Sequence, residues 1–213
     1  IVALRSNESE VTLSWRYLMS DPLNQSFTIY RDGKKIGERK ANESTTFVDK
    51  QPSKQPVVYE VRPSKGKIKG KWTFSPQSPI GYLDILLSKP TAKEPIGPSC
   101  EYVANDASVA DLDGDGQMEI GLKWDPSNAK DNSHSGFTSP VILDAYKLDG
   151  TQLWRINLGR NIRAGAHYTQ FMVYDFDGDC CAEWVMKTAD GTSDGKGIVI
   201  GYKEADWRKY SVT

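Results

Sequence analysis

Asp111, Asp113, Asp115, Gln117 and Glu119 recur 64 residues later as Asp175, Asp177, Asp179, Cys181 and Glu183. Carboxylates at every second position of a short loop repel one another and raise one another's pKa unless a positive charge gathers them. An all-oxygen donor set suits a hard cation, and calcium is the expected one. Side chains at loop positions 1, 3 and 5, a backbone carbonyl at 7 and a carboxylate at 9 would surround it. This assigns Asp111, Asp113, Asp115, the Gln117 carbonyl and Glu119 to one site. Asp175, Asp177, Asp179, the Cys181 carbonyl and Glu183 form the other. An EF-hand needs a bidentate Glu at position 12, where these loops have Leu122 and Met186, so they are not EF-hands. Asp/Gly-rich turns holding no metal are the competing reading, and two such loops in register weigh against it.

The elements that must position these loops are strands. Residues 119–124 and 183–188 read as strands after the loops, and Val109-Ala110 and Val173-Tyr174 stand before them. The same offset carries Val109 onto Val173 and Lys123 onto Lys187, so the repeat is a strand-loop-strand unit. Cation-pinned hairpins repeated along a chain predict a β-propeller or a similar all-β array. Residues 141–148 and 151–158, joined through Asp149-Gly150, predict an outer hairpin. Residues 123–140 are then expected to be an insertion.

The front of the chain has a different pattern. Short apolar runs at 11–16, 27–31, 45–49 and 57–61, with a turn at Asp32-Gly33, predict a β-sandwich of immunoglobulin size whose order resembles a fibronectin type III domain. Up to Ser88, 14 Lys+Arg face 9 Asp+Glu, a net of +5; from Lys89 onward 13 face 19, a net of −6. Two units with different tasks follow from that split. Five prolines between residues 75 and 98, interrupted by a strand-like run at 82–87, mark the connection. The expected organisation is a sandwich over 1–88, a linker over 89–104 and calcium-binding blades over 105–213. The Lys/Gly run at 65–71 reads as a hairpin edge blunted by charge rather than as a polyanion-binding strip. No apolar run reaches transmembrane length, and the first residues lack a signal-peptide pattern, so a soluble chain is expected, with any export signal removed or outside it. Three cysteines and two histidines match neither a zinc spacing nor a disulfide framework.

Several stretches carry a resemblance. Ala104-Asn105-Asp106-Ala107-Ser108-Val109, Leu122-Lys123-Trp124-Asp125-Pro126, Asp144-Ala145-Tyr146-Lys147-Leu148-Asp149-Gly150, Arg163-Ala164-Gly165-Ala166-His167-Tyr168 and Met186-Lys187-Thr188-Ala189-Asp190-Gly191-Thr192 resemble the rhamnogalacturonan lyases of polysaccharide lyase family 11. The resemblance implies a secreted, calcium-containing enzyme that cuts pectin rhamnogalacturonan I between rhamnose and galacturonate by β-elimination. It also implies a sandwich followed by an eight-bladed propeller. Asn105 and Asp125 match substrate contacts, Asp106 matches a ligand completing the first calcium site, and the two loops match structural calcium sites.

Removing the C5 proton of a uronate requires that its carboxylate be neutralised and that a base of tuned pKa be at hand. Lys123, Lys187 and His167 are candidate bases by type, and Arg160 and Arg163 are candidate neutralising groups. Against these roles, Lys123 and Lys187 hold equivalent repeat positions, which points to a shared structural place. Cys180 stands where the family has Gly, at a turn favouring a left-handed backbone that a Cβ penalises, so the second site is expected to be the weaker or distorted one. A ring of eight blades needs several hundred residues more, so the chain is expected to be a fragment. The expected partner is an acidic plant polysaccharide, with no nucleic acid or membrane partner and a monomeric state. Two alternatives stand beside the lyase: a non-catalytic carbohydrate-binding or adhesion module, and a purely structural array.

Overall fold

In the computed structural model, residues 1–18, 21–66, 70–91, 100–165 and 169–209 are described. They form two compact units, Ile1–Asp84 and Ile85–Thr213. Both are all-β, with thirteen strands, one 3₁₀ turn at Trp207–Lys209 and no α-helix among the described residues. None of these elements is a helix long and apolar enough to cross a membrane.

In the first unit β1 (Val2–Asn7), β2 (Glu10–Ser14) and β5 (Thr46–Asp49) make one antiparallel sheet. A second sheet has the order β4-β3-β6-β7, from β3 (Phe27–Arg31), β4 (Lys34–Arg39), β6 (Val57–Pro63) and β7 (Gly70–Phe74). Strand alternation sends Val11 and Leu13 of one sheet and Ile29, Tyr59 and Phe74 of the other into a single core. Asp32 and Gly33, at φ 47° and 76°, turn β3 into β4 as an Asp-Gly hairpin should. Of the basic run, residues 67–69 lie outside the described residues; Gly70 opens β7, which pairs with β6.

The run at 82–87 is not a strand. Its apolar residues find no ladder partner: Tyr82 and Leu86 are exposed, and Leu87 packs instead on a core of the second unit.

That unit is built on a four-stranded antiparallel sheet of β8 (Tyr102–Ala110), β9 (Glu119–Pro126), β10 (Ile142–Tyr146) and β11 (Gln152–Asn157), in the order β11-β10-β9-β8. A separate hairpin follows, β12 (Phe171–Tyr174) with β13 (Glu183–Met186). Residues 123–126 are not an insertion, because they continue β9 and pair with β8 up to Tyr102↔Pro126. The strand-free connection is 127–141.

Both faces of the large sheet are apolar, which is why β10 is buried along its whole length. Tyr102, Leu122, Trp124, Ile142 and Tyr146 cluster on one face. Val141 and Leu143 belong to the other cluster, with Trp184 of β13 and Phe171 of β12 packed against it. Trp184 stacks on Phe171 and meets Trp154 edge-on at 5.2 Å. Its ring also covers Gly121, where an added Cβ would come within 2.2 Å of it.

One carboxylate is buried inside this sheet. Asp144 accepts hydrogen bonds from Trp124 Nε1 and Tyr146 Oη, each at 2.7 Å, and from Arg155 Nε at 2.7 Å and a second guanidinium nitrogen at 2.6 Å. Burial first, then the bond to Asp144, pushes the Tyr146 hydroxyl up to about 12. Arg155 also donates to the Ser88 carbonyl, so the network ties residue 88 to the sheet.

Candidate functional site

The two acidic loops fold by the same hydrogen bonds. Asp111 Oδ1 accepts the Gly114 amide and Oδ2 the Gly116 amide, both at 2.7 Å. Asp175 takes the amides of Gly178 at 2.7 Å and Cys180 at 3.0 Å in the same way. Position 3 accepts the amide of position 5, at 3.3 Å on Asp113 and 3.2 Å on Asp177. Position 5 accepts the amide of position 7, at 2.8 Å from Gln117 to Asp115 and from Cys181 to Asp179. Glu119 and Glu183 reach back to the amides of Leu112 and Phe176, each at 2.7 Å. Asp side chains closing turns on their own backbone explain why this spacing wraps the chain.

Such wrapping needs left-handed residues at positions 4 and 6. Gly114, Gly116 and Gly178 have φ of 74°, 84° and 80°, and Cys180 is forced to 73°. The turn therefore forms in the second loop despite the Cβ, with its full set of bonds.

Those bonds leave some oxygens freer than others for a cation; both oxygens of Asp111 accept an amide and would ligate through a second lone pair. With Oδ1 of Asp113 and Asp115 spent on amides, Oδ2 of each is left. One carboxylate oxygen from each of Asp111, Asp113 and Asp115 lies within 4.8 Å of the others, and the second loop gathers Asp175, Asp177, Asp179 and Glu183 within the same limit. Oxygen-only clusters of this kind fit a hard divalent ion such as calcium. Glu119, 1 % exposed, stays out of the first cluster, and burial raises its carboxyl pKa. Instead of a fourth carboxylate, the first loop has Lys147, whose Nζ lies 2.6 Å from Asp113 Oδ2 and 3.0 Å from Asp115 Oδ2. Burial alone would raise the Asp115 carboxyl, but the Gln117 amide and the Lys147 ammonium outweigh it and hold its pKa low.

The loops also touch. Ala182 N donates to the Asp111 carbonyl at 2.6 Å, and Cys181 Sγ to the Leu112 carbonyl at 3.4 Å.

A second cluster sits on β8 and β9. The pairing jumps from Ala104↔Trp124 to Ala107↔Leu122, so Asn105 and Asp106 together oppose Lys123 as a β-bulge. Lys123, only 1 % exposed, donates to Asp106 Oδ2 at 2.7 Å. Two residues on, the same face of β9 carries Asp125, 7 % exposed, whose Oδ1 is buried without a hydrogen-bond partner among the described residues. Burial raises the Asp125 pKa, against the opposing pull of Lys123. Asn105 is exposed on the bulge. Asp106 is thus gathered with Lys123 and Asp125 and is not one of the carboxylates clustered in the first loop.

The other candidates scatter. Lys187 is exposed just beyond β13, so it does not share the buried setting of its repeat mate Lys123. Arg163 donates to the His134 carbonyl. Arg160 lines a cavity of about 390 Å³ with Arg155, Lys203, Tyr102 and Ile142. Tyr102 belongs to the face of the sheet opposite Asp125 by strand alternation, so this cavity is separate from the bulge cluster. His167 lies outside the described residues. Sequence reasoning missed Lys147 and Asp144. The only signal for them was a charged residue at an inward position of an apolar strand and another beside the Asp149-Gly150 turn.

Residues 82–212 match the family described as "Rhamnogalacturonan lyase family 11, C-terminal domain", and residues 1–74 match "Rhamnogalacturonan I lyases beta-sheet domain". Rhamnogalacturonan exolyase YesX of Bacillus subtilis (strain 168) is 53 % identical over 202 residues, covering 94 % of this chain and 33 % of the relative. Rhamnogalacturonan endolyase YesW of the same organism is 51 % identical over 215 residues, covering 98 % of this chain and 33 % of the relative. The crystal structure of the exotype lyase YesX superposes with a TM-score of 0.80 at 52 % identity, over 97 % of this chain and 34 % of that one. The Bacillus licheniformis rhamnogalacturonan lyase PL11 does so at 0.79 and 51 % identity, over 98 % and 36 %. The chain spans about a third of the length of these relatives.

Proposed function

We propose, because the chain belongs to rhamnogalacturonan lyase family 11, that it is part of an enzyme cutting pectic rhamnogalacturonan I between rhamnose and galacturonate by β-elimination. The observation that carries this is the family match over residues 82–212, which runs through both acidic loops and through Asn105, Lys123 and Asp125. In this reading the first unit is a fibronectin type III-like sandwich. The β8–β11 sheet is the first blade of a propeller, and β12–β13 begin the second. The enzyme works outside the cell, as a monomer.

In the elimination the C5–H bond of the uronate breaks, a C4–C5 double bond forms, and the sugar linked at C4 departs with a proton. Calcium held by Asp111, Asp113 and Asp115 and by Asp175, Asp177, Asp179 and Glu183 would supply charge neutralisation to the loops and stiffen their hairpins. Asn105 offers its exposed amide to the saccharide. Asp125, whose Oδ1 is buried without a donor among the described residues, would reach a sugar hydroxyl only by turning outward from β9. Lys123, spent on Asp106, positions that carboxylate beside Asn105. Lys187, exposed and without a carboxylate partner among the described residues, is the better base candidate of the two lysines.

Incubation of the complete enzyme that contains this chain with rhamnogalacturonan I tests the reading through ultraviolet-absorbing unsaturated ends. The two oxygen-only clusters by themselves also suit a second reading, a non-catalytic calcium-stabilised carbohydrate-binding module. Binding of the polymer without unsaturated products supports that module; neither binding nor products sinks both.

A further inference from the structure

We propose that the cavity lined by Arg155, Arg160 and Lys203 is a binding site for a carboxylate-bearing sugar, separate from the cluster of Asn105, Lys123 and Asp125. It rests on the function proposed above only in the choice of a uronate as that sugar. Three observations carry it.

First, the walls select an anion. Three cationic side chains line the cavity, and no Asp or Glu does among the described residues. Lys203 is exposed and has no carboxylate partner among those residues. Arg155 spends Nε and Nη2 on Asp144, which leaves the two N–H groups of Nη1 to donate. Asn157 gives Oδ1 to the Gly159 amide at 2.9 Å and keeps its NH2 as a further donor. A carboxylate accepts from several such donors at once, and charged donors make the stronger bonds.

Second, a small inorganic anion would use only part of the space. The volume of about 390 Å³ falls among small-molecule pockets, which run from about 300 to 1,000 Å³. Tyr102, Ile142 and Val199 add apolar surface to the lining, and Ser139 adds a hydroxyl. A sugar ring presents C–H faces beside hydroxyl groups, so this mixture suits a ring that carries a carboxylate better than bare phosphate.

Third, the walls are built in advance. Asn157 and Ser193, both in the lining, exchange backbone hydrogen bonds at 3.0 and 2.8 Å. Gly159 packs so closely on Gly191 that an added Cβ would meet its carbonyl oxygen at 2.6 Å. The buried carboxylate of Asp144 fixes the Arg155 guanidinium through two bonds. Donors already held in place lose little freedom when a ligand arrives.

The test is lysine footprinting of the complete enzyme that contains this chain, with an amine-reactive ester read by mass spectrometry. Digalacturonate should slow the modification of Lys203 saturably and leave Lys34, exposed on β4, unchanged. Neutral galactobiose and inorganic phosphate should each protect Lys203 about tenfold less well. Asn105→Ala should keep the protection, because the bulge belongs to a separate cluster. Val199→Glu puts a like charge in the cavity and should raise the half-protecting concentration about tenfold or more, whereas Val199→Gln, of the same shape, should raise it much less. No protection by digalacturonate overturns the inference, as does equal protection by galactobiose or by phosphate. Equal shifts in the two Val199 variants, or loss of protection in Asn105→Ala, overturn it too. Unsaturated ends formed without protection of Lys203 would remove this site and leave the lyase reading standing; protection without such ends does the reverse.

Discussion

Cys180 holds φ 73° where its repeat mate is Gly116. A left-handed backbone costs a residue with a Cβ about 1–2 kcal/mol, more than the roughly 0.5–1 kcal/mol of chain entropy that a glycine adds to the unfolded state. Cys180→Gly should therefore stabilise the chain by about 0.5–1 kcal/mol in denaturant unfolding with chelator present. A loss of stability would mean that the thiol makes a contact worth more than the strain. Asp125 is the opposite case, a residue the fold would prefer otherwise. Burial raises its pKa, so the protonated form is favoured in the native state; the stability this gives is full below the unfolded value and is lost as pH rises through the folded one. Asp125→Asn should remove that dependence and hold or raise stability at neutral pH, while lowering kcat/KM about tenfold or more in the complete enzyme of the proposed function. Equal losses of stability and activity would show a structural residue instead. The acidic loops were legible in the sequence because their geometry is local, each carboxylate serving an amide two to five residues away. The pairing of Lys123 with Asp106 was not, because a bulge sets it and no pattern in β8 alone marks where the register jumps.

At the level of elements, the strands that alternate cleanly and pair on a buried face were readable, as with residues 27–31, which are β3 to the residue. Those that failed had lost the signal for physical reasons. β4 is Lys34–Arg39, a charged edge strand with no apolar face to speak of. Residues 82–87 show strand composition without a neighbour to pair with, and composition alone does not make a ladder. β10 is apolar on both faces, so the pattern that announces a buried strand also hides the importance of the one carboxylate in it. Asp144 holds Trp124 of β9, Tyr146 of β10 and Arg155 of β11 at once. Asp144→Ala leaves that guanidinium, indole and hydroxyl without their acceptor and should cost about 3–5 kcal/mol. A drop below about 1 kcal/mol in urea unfolding would show that water replaces the carboxylate.

Across the whole molecule, the charge change near residue 88 and the proline-rich stretch announced two units, and the chain divides into Ile1–Asp84 and Ile85–Thr213. Only the second holds acidic clusters among the described residues. Scanning calorimetry in calcium and in chelator should therefore move one transition, that of Ile85–Thr213, and leave the other within about 2 °C. A parallel shift of both would mean that the units melt as one cooperative body.

The hydrogen bond from Ala182 to the Asp111 carbonyl has a consequence for how ions are taken up. Asp111 closes its own loop with its side chain and receives the second loop with its backbone, so one residue belongs to both. On the calcium reading proposed above, an ion ordering the Asp175 loop would fix Ala182, and through it the first residue of the neighbouring loop. By linkage the help is mutual. Uptake would then be positively cooperative, the ordering of either loop preparing the other.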